Sequence, residues 1–78
     1  MPTILVVGPY RFYFFSGESK EPPHVHIERD GFMAKFWLEE ISLAMNRGFR
    51  PQELNKICEL IEKHQKLFLD KWHEHFKN

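Results

Sequence analysis

The 78-residue chain has a single cysteine, Cys58, so no disulfide can form within it. A lone thiol also fits a reducing compartment better than a secreted one. Long apolar runs are missing. Stretches such as residues 4–7 fall far short of the roughly 20 residues needed to cross a bilayer. The N-terminus has neither a basic region nor a small-residue cleavage site, so no signal peptide is expected and the expected location is the cytoplasm. Charge of one sign is missing too. Eleven Lys and Arg balance eleven Asp and Glu, with no like-charge block, which excludes a nucleic-acid binder that works by broad phosphate neutralisation. A local nucleic-acid contact stays possible, but charge does not indicate one. Glycine is scarce, at four residues, and no Gly-rich phosphate loop is present. No Ser or Cys nucleophile sits beside a base.

Aromatic residues are abundant: eight Phe, two Trp and two Tyr. The length allows one domain. A chain this short buries only about 60–65% of the surface it exposes when unfolded, so its core is marginal and a partner or metal often assists.

The pattern predicts an α+β domain: a small antiparallel sheet of four or five strands, followed by one long C-terminal helix packed on one face. Residues 3–7 are β-branched and apolar and stop at Gly8-Pro9, a turn signal. Residues 10–16 form an aromatic second strand. Residues 17–23 are polar and end in two prolines, an exposed loop. Residues 24–29 alternate as a third strand, Asp30-Gly31 signals a type I′ hairpin, and residues 32–38 form a fourth strand. Residues 41–45 fit either a short fifth strand or a helical turn. Pro51 suits the first helical position and Glu53 its first turn. Nothing then breaks the helix before Phe76, a span of about 39 Å. Leu54, Ile57, Cys58, Ile61, Phe68 and Trp72 share one stripe at the 3.6 period, with Trp72 anchoring the far end. Glu59–Lys63 and Glu62–Lys66 are spaced as i,i+4 pairs on the opposite side.

Strand alternation puts Phe32, Ala34, Phe36 and Leu38 on one face, and Met33, Lys35 and Trp37 on the other. Phe12 and Phe14 likewise oppose Tyr13 and Phe15. The strands are thus apolar on both sides, while one helix covers one side. Either the sheet curls so that its loops close the second face, or that face is an interface. The interface is the preferred reading, with Tyr13, Phe15, Met33 and Trp37 as its binding residues and a homodimer or another protein as partner.

His24, Val25, His26, Ile27 and Glu28 carry the chemistry. As a strand, Val25 and Ile27 face the core while His24, His26 and Glu28 line the other side. Two imidazoles at i,i+2 can share a metal or an anion, with Glu28 or His64 as further donors. One of them can also serve as a general acid or base. Both are expected to be replaceable without loss of packing. His64, beside Ile61 and Phe68, reads as a partly buried histidine bonded to a backbone carbonyl. His73 and His75 point apart on the helix. Cys58, on the buried stripe, reads as inert packing.

The opening Met1-Pro2-Thr3-Ile4, the Pro22-Pro23-His24-Val25-His26 run and the ending with Leu60, His64, Leu67 and Trp72 resemble a family of small bacterial proteins catalogued as domain of unknown function number 4160. The resemblance spans nearly the whole chain. It implies a cytosolic protein encoded beside another small uncharacterised protein, in an arrangement usually interpreted as toxin–antitoxin-like. It also implies that His24, His26 and His64 form a working, catalytic site. The loop departs from the family's Asp-His-rich form, reading Glu18-Ser19-Lys20-Glu21, where Glu18 or Glu21 can substitute as the acidic group. Three functions follow: an interaction component of a two-gene module, a small histidine-dependent hydrolase acting on RNA or a nucleotide, and a His-based metal-binding protein. No cofactor is expected; if a metal such as zinc binds, His24 and His26 are its ligands.

Overall fold

The computed structural model describes residues 3–15, 17–18 and 20–76. Met1 and Pro2 of the opening motif, Ser16 at the expected end of the second strand, and Ser19 of the loop lie outside the described residues.

Five strands form one antiparallel meander: β1 (Thr3–Val7), β2 (Tyr10–Tyr13), β3 (His24–Arg29), β4 (Phe32–Trp37) and β5 (Ser42–Arg47). The ambiguous fifth segment is therefore a strand. Turn chemistry sets the register at two points. Gly8-Pro9 joins the paired residues Val7 and Tyr10, with Gly8 at φ +57°. Asp30 and Gly31 both take positive φ, +52° and +84°, between the paired residues Arg29 and Phe32, as a type I′ turn requires. Both edge strands carry an irregularity, between Thr3 and Leu5 in β1 and opposite Lys35 and Phe36 in β5. Bulges at sheet edges discourage strand addition by other chains.

A correction concerns the helix. The expected single rod is two helices, α1 (Pro51–Lys63) and α2 (Gln65–His75), meeting at His64, whose backbone (φ −111°, ψ 17°) is not helical. Two side-chain contacts account for the break. The His64 Nδ1–H donates to the Leu60 carbonyl at 2.9 Å, the i−4 oxygen that the backbone ladder also uses. Gln65 next to it donates to the Leu38 carbonyl at 2.7 Å and so ties the joint to the end of β4. The helical ion pair found among the described residues is Lys66–Asp70, at 2.9 Å.

Both helices lie on one sheet face. Ile57 and Ile61 of α1 and Phe68 and Trp72 of α2 are buried against Phe12, Phe14, Val25, Ile27, Ala34, Phe36 and Leu38. Each fully buried Val, Leu, Ile or Phe among them contributes about 1.5–3 kcal/mol. The start of α1 is fixed by Glu53, which accepts from the Tyr10 hydroxyl and from Arg29 Nη2, both at 2.8 Å. Arg29 beside it is the largest influence on the Glu53 carboxyl and holds its pKa below the ordinary value. Between β5 and α1, Gly48 sits at φ +106°, where a Cβ would meet the Phe32 ring at 2.5 Å, so only glycine fits.

The second correction concerns the other sheet face, which is not left open. The described residues of the loop, 17–18 and 20–23, fold back over it. The Leu38 N–H donates to the Pro23 carbonyl at 3.0 Å, and Lys35 donates to Glu21. The Arg11 guanidinium covers the Tyr13 ring at 4.4 Å and reaches Glu28 at 2.6 Å, while Lys35 Nζ lies 4.7 Å from the centre of the Trp37 ring. Tyr13 is consequently buried, and Phe15, Met33 and Trp37 are partly buried. Among the described residues, the large exposed hydrophobics are Val6, Phe32, Leu43 and Met45.

Candidate functional site

Strand periodicity puts the His24 and His26 rings on the face of β3 opposite the helices, as their i,i+2 spacing requires. The two prolines before β3 then turn the chain so that Glu18 returns over them. Its Oε1 lies 2.6 Å from His24 Nε2 and 2.7 Å from His26 Nε2. His24 Nδ1 is 2.9 Å from the Pro22 carbonyl, to which it donates. One carboxylate oxygen thus bridges two imidazoles, and a backbone carbonyl orients the first of them.

The rings are enclosed, against the expectation of an exposed pair. His24 is fully buried and His26 is 4% exposed. Tyr13 stacks on His26 with ring centres 5.4 Å apart, and Phe15 meets it edge-on at 4.5 Å. Trp37 stands perpendicular to His24 with ring centres 5.7 Å apart, and Trp72 packs on His24 with ring centres 4.9 Å apart. Trp72 is therefore the expected anchor of the helical end, and it also closes the histidine site. Burial is the main influence on His26 and pushes its pKa below the ordinary imidazole value, with Glu18 opposing. For Glu18, burial acts to raise the pKa, but the hydrogen bonds from His24 and His26 outweigh it and hold the carboxyl below its usual range. A neutral His26 donating Nε2–H to an ionised Glu18 satisfies both directions. His26 Nδ1 is left without a hydrogen-bond partner among the described residues.

His24 has no such simple solution. Its Nδ1 faces a carbonyl and its Nε2 faces a carboxylate oxygen, and both oxygens are acceptors. A positive particle has to lie on the Nε2–Glu18 line, either a proton held by one partner or a metal ion.

Of the expected working residues, His24 and His26 come together, and His64 stands apart at the α1–α2 joint, bonded to the Leu60 carbonyl and 6.2 Å from Phe68. Glu28 turns to Arg11 instead. Tyr13, Phe15 and Trp37 surround the histidines, while Met33 pairs with Glu28 farther along the sheet. The residue that sequence reasoning did not place at the centre is Glu18; its only signal was an acidic side chain in the loop before the double proline. Burial raises the pKa of the Cys58 thiol, which leaves it a poor nucleophile.

The family model described as "Domain of unknown function (DUF4160)" matches residues 10–73, which include the loop, both histidines, His64 and Trp72. The chain belongs to the DUF4160 family. No curated protein and no solved structure matches it. The DUF4160 match starts at β2 and ends within α2, so the bridged histidines, α1 and most of α2 fall inside it and β1 falls outside. No helix among the described residues is long and apolar enough to cross a membrane.

Proposed function

We propose that this DUF4160 chain is a protein-interaction component of a two-gene, toxin–antitoxin-like module, and that it takes its partner along β5 and the start of α1. The observation that carries this reading is a mostly apolar cavity of about 290 Å³ lined by Phe36, Leu43, Pro51, Leu54 and Cys58, with Ser42 and Asn55 as its polar members. It lies beside a strand, β5, that is exposed over its whole length. Leu43 is 45% exposed at its rim, ready to be covered by an apolar side chain of the partner. This surface replaces the sheet face first expected, which the loop over the histidines has largely closed.

Burial weighs against the hydrolase reading. An acid or base has to come within hydrogen-bond reach of the group it serves, and both imidazoles are packed among aromatic rings with their Nε2 atoms committed to Glu18. The balanced charge also supports a protein partner over an RNA substrate.

The test is co-expression with the product of the adjacent open reading frame, followed by affinity capture and sedimentation at tens of micromolar. A defined complex that Leu43→Glu abolishes while the fold is retained supports the proposal. Self-association of the isolated chain that is lost in Leu43→Glu assigns the surface to a homodimer instead. A stable monomer that captures nothing from the adjacent gene overturns the reading.

A further inference from the structure

The most unusual feature of the chain is a buried two-histidine, one-carboxylate cluster that the interaction surface does not use. His24 Nε2, His26 Nε2 and a Glu18 carboxylate oxygen all lie within 4.8 Å of one another. We propose that these three atoms form a binding site for one divalent first-row transition ion, of which zinc is the representative probe, and that the ion clips residues 17–23 to β3.

Four features of the chain support the site. The donor types are right: two imidazole nitrogens and one carboxylate form a set used for zinc and for other first-row ions. The orientation is right as well. His24 Nδ1 donates to the Pro22 carbonyl at 2.9 Å, and this outer contact fixes the tautomer that turns the Nε2 lone pair toward the centre. The spacing needs an adjustment. Ligand atoms at 2.0–2.2 Å from one tetrahedral ion sit roughly 3.3–3.6 Å apart, whereas Glu18 Oε1 stands 2.6 and 2.7 Å from the two nitrogens. An opening of up to about 1 Å is needed, and the loop-borne Glu18 can supply it. Finally, the ion supplies the positive charge on the His24 Nε2–Glu18 line that a proton must otherwise supply. The orphaned His26 Nδ1 does not discriminate, since it lacks a partner with or without an ion.

Access is from the Glu18 side. That side chain is 26% exposed, whereas the histidine side chains are 0% and 5% exposed. Three protein donors leave a position for water on that side. An ion there cross-links the loop to the middle strand of the sheet, a connection that a domain this small gains from.

The experiment adds zinc alone to the full chain, stripped of metal beforehand, and follows calorimetry, thermal melting and long-range ¹H–¹⁵N spectra of the histidine rings. The expected result is one ion per chain and a rise in melting temperature of at least about 4 °C at saturation. In the spectra, only the Nε2 resonances of His24 and His26 should move. Glu18→Gln, which keeps the shape of the side chain but withdraws the anionic ligand, should weaken zinc by more than about tenfold. His73→Ala, on the exposed face of α2, should leave it unchanged. If Glu18→Gln does not fold, the ring spectra of the wild type decide. Zinc that shifts His73 or His75 in place of His24 and His26, binding unaffected by Glu18→Gln in a folded variant, or no binding at 100-micromolar concentrations would each overturn the site. None of these outcomes depends on a partner binding at β5.

Discussion

Replacing Trp72 by alanine probes the contact that joins the helical arm to the histidine face. The ring is 5% exposed. It meets Phe14 edge-on at 5.3 Å, His24 at 4.9 Å and Phe76 at 4.1 Å. An indole buries about 150–250 Å², which at roughly 25 cal/mol per Å² corresponds to about 4–6 kcal/mol. Alanine keeps a small part of this, and the cavity it leaves adds a further cost, so the expected loss is about 3–5 kcal/mol. For 78 residues the whole folding free energy is about 4–12 kcal/mol. The variant should therefore lose between about a quarter and all of its stability. Urea unfolding read by far-UV circular dichroism gives the value, with an unchanged slope confirming that stability and not compactness has altered. Trp37→Ala, at a partly exposed ring, is the control and should cost less. A loss below about 1 kcal/mol for Trp72→Ala, in the range of surface substitutions, would refute the anchoring role.

Two further predictions concern the cluster. Replacing both His24 and His26 by alanine should destabilise the fold, because it empties two enclosed sites and leaves the Pro22 carbonyl and Glu18 short of donors, at roughly 1–3 kcal/mol for each stranded group; an unchanged melting temperature would show that the rings are exposed after all. Acidification should also destabilise. The folded pKa of His26 lies below its ordinary 6.5 and that of Glu18 below its ordinary 4.5. In both cases the unfolded chain takes up the proton first, so stability falls as pH drops below about 6.5, falls further below about 4.5, and stops responding once each folded pKa is passed. Urea midpoints at pH 7.5, 5.5 and 4 measure this. Glu18→Gln should flatten the acidic part, and a midpoint that rises on acidification would contradict the assignment.

The elements legible in the sequence are those set by local chemistry. Asp30-Gly31 and Gly8-Pro9 fix two hairpins because their backbones accept positive φ or a tight turn. Alternation placed Phe12, Phe14, Val25 and Ile27 in the core, and the 3.6 period placed Ile57, Ile61, Phe68 and Trp72 against them. Pro51 begins the helix where its missing N–H costs nothing. What stayed hidden depends on contacts between distant residues. His64 is an acceptable helical residue by propensity, and only its bond to Leu60, together with the hold of Gln65 on Leu38, makes it a joint. Likewise, nothing local announces that Glu18 and residues 20–23 fold back, because that path rests on Glu18 meeting the histidines, Glu21 meeting Lys35, and Pro23 pairing with Leu38. For the same reason, periodicity gave the face of the histidines correctly and their exposure wrongly.

The central claim is that Glu18 bridges two enclosed imidazoles, and the exchange of their ring protons tests it most directly. In the metal-free wild type at neutral pH, slowly exchanging ring N–H signals are expected in ¹H–¹⁵N spectra for His24, at the Nδ1 held by the Pro22 carbonyl, and for His26, at Nε2. Glu18→Gln should alter both, and the exposed rings of His73 and His75 should give no such protected signal. His24 and His26 rings whose protons exchange as freely as those of His73 and His75, or protected signals indifferent to Glu18→Gln, would contradict it.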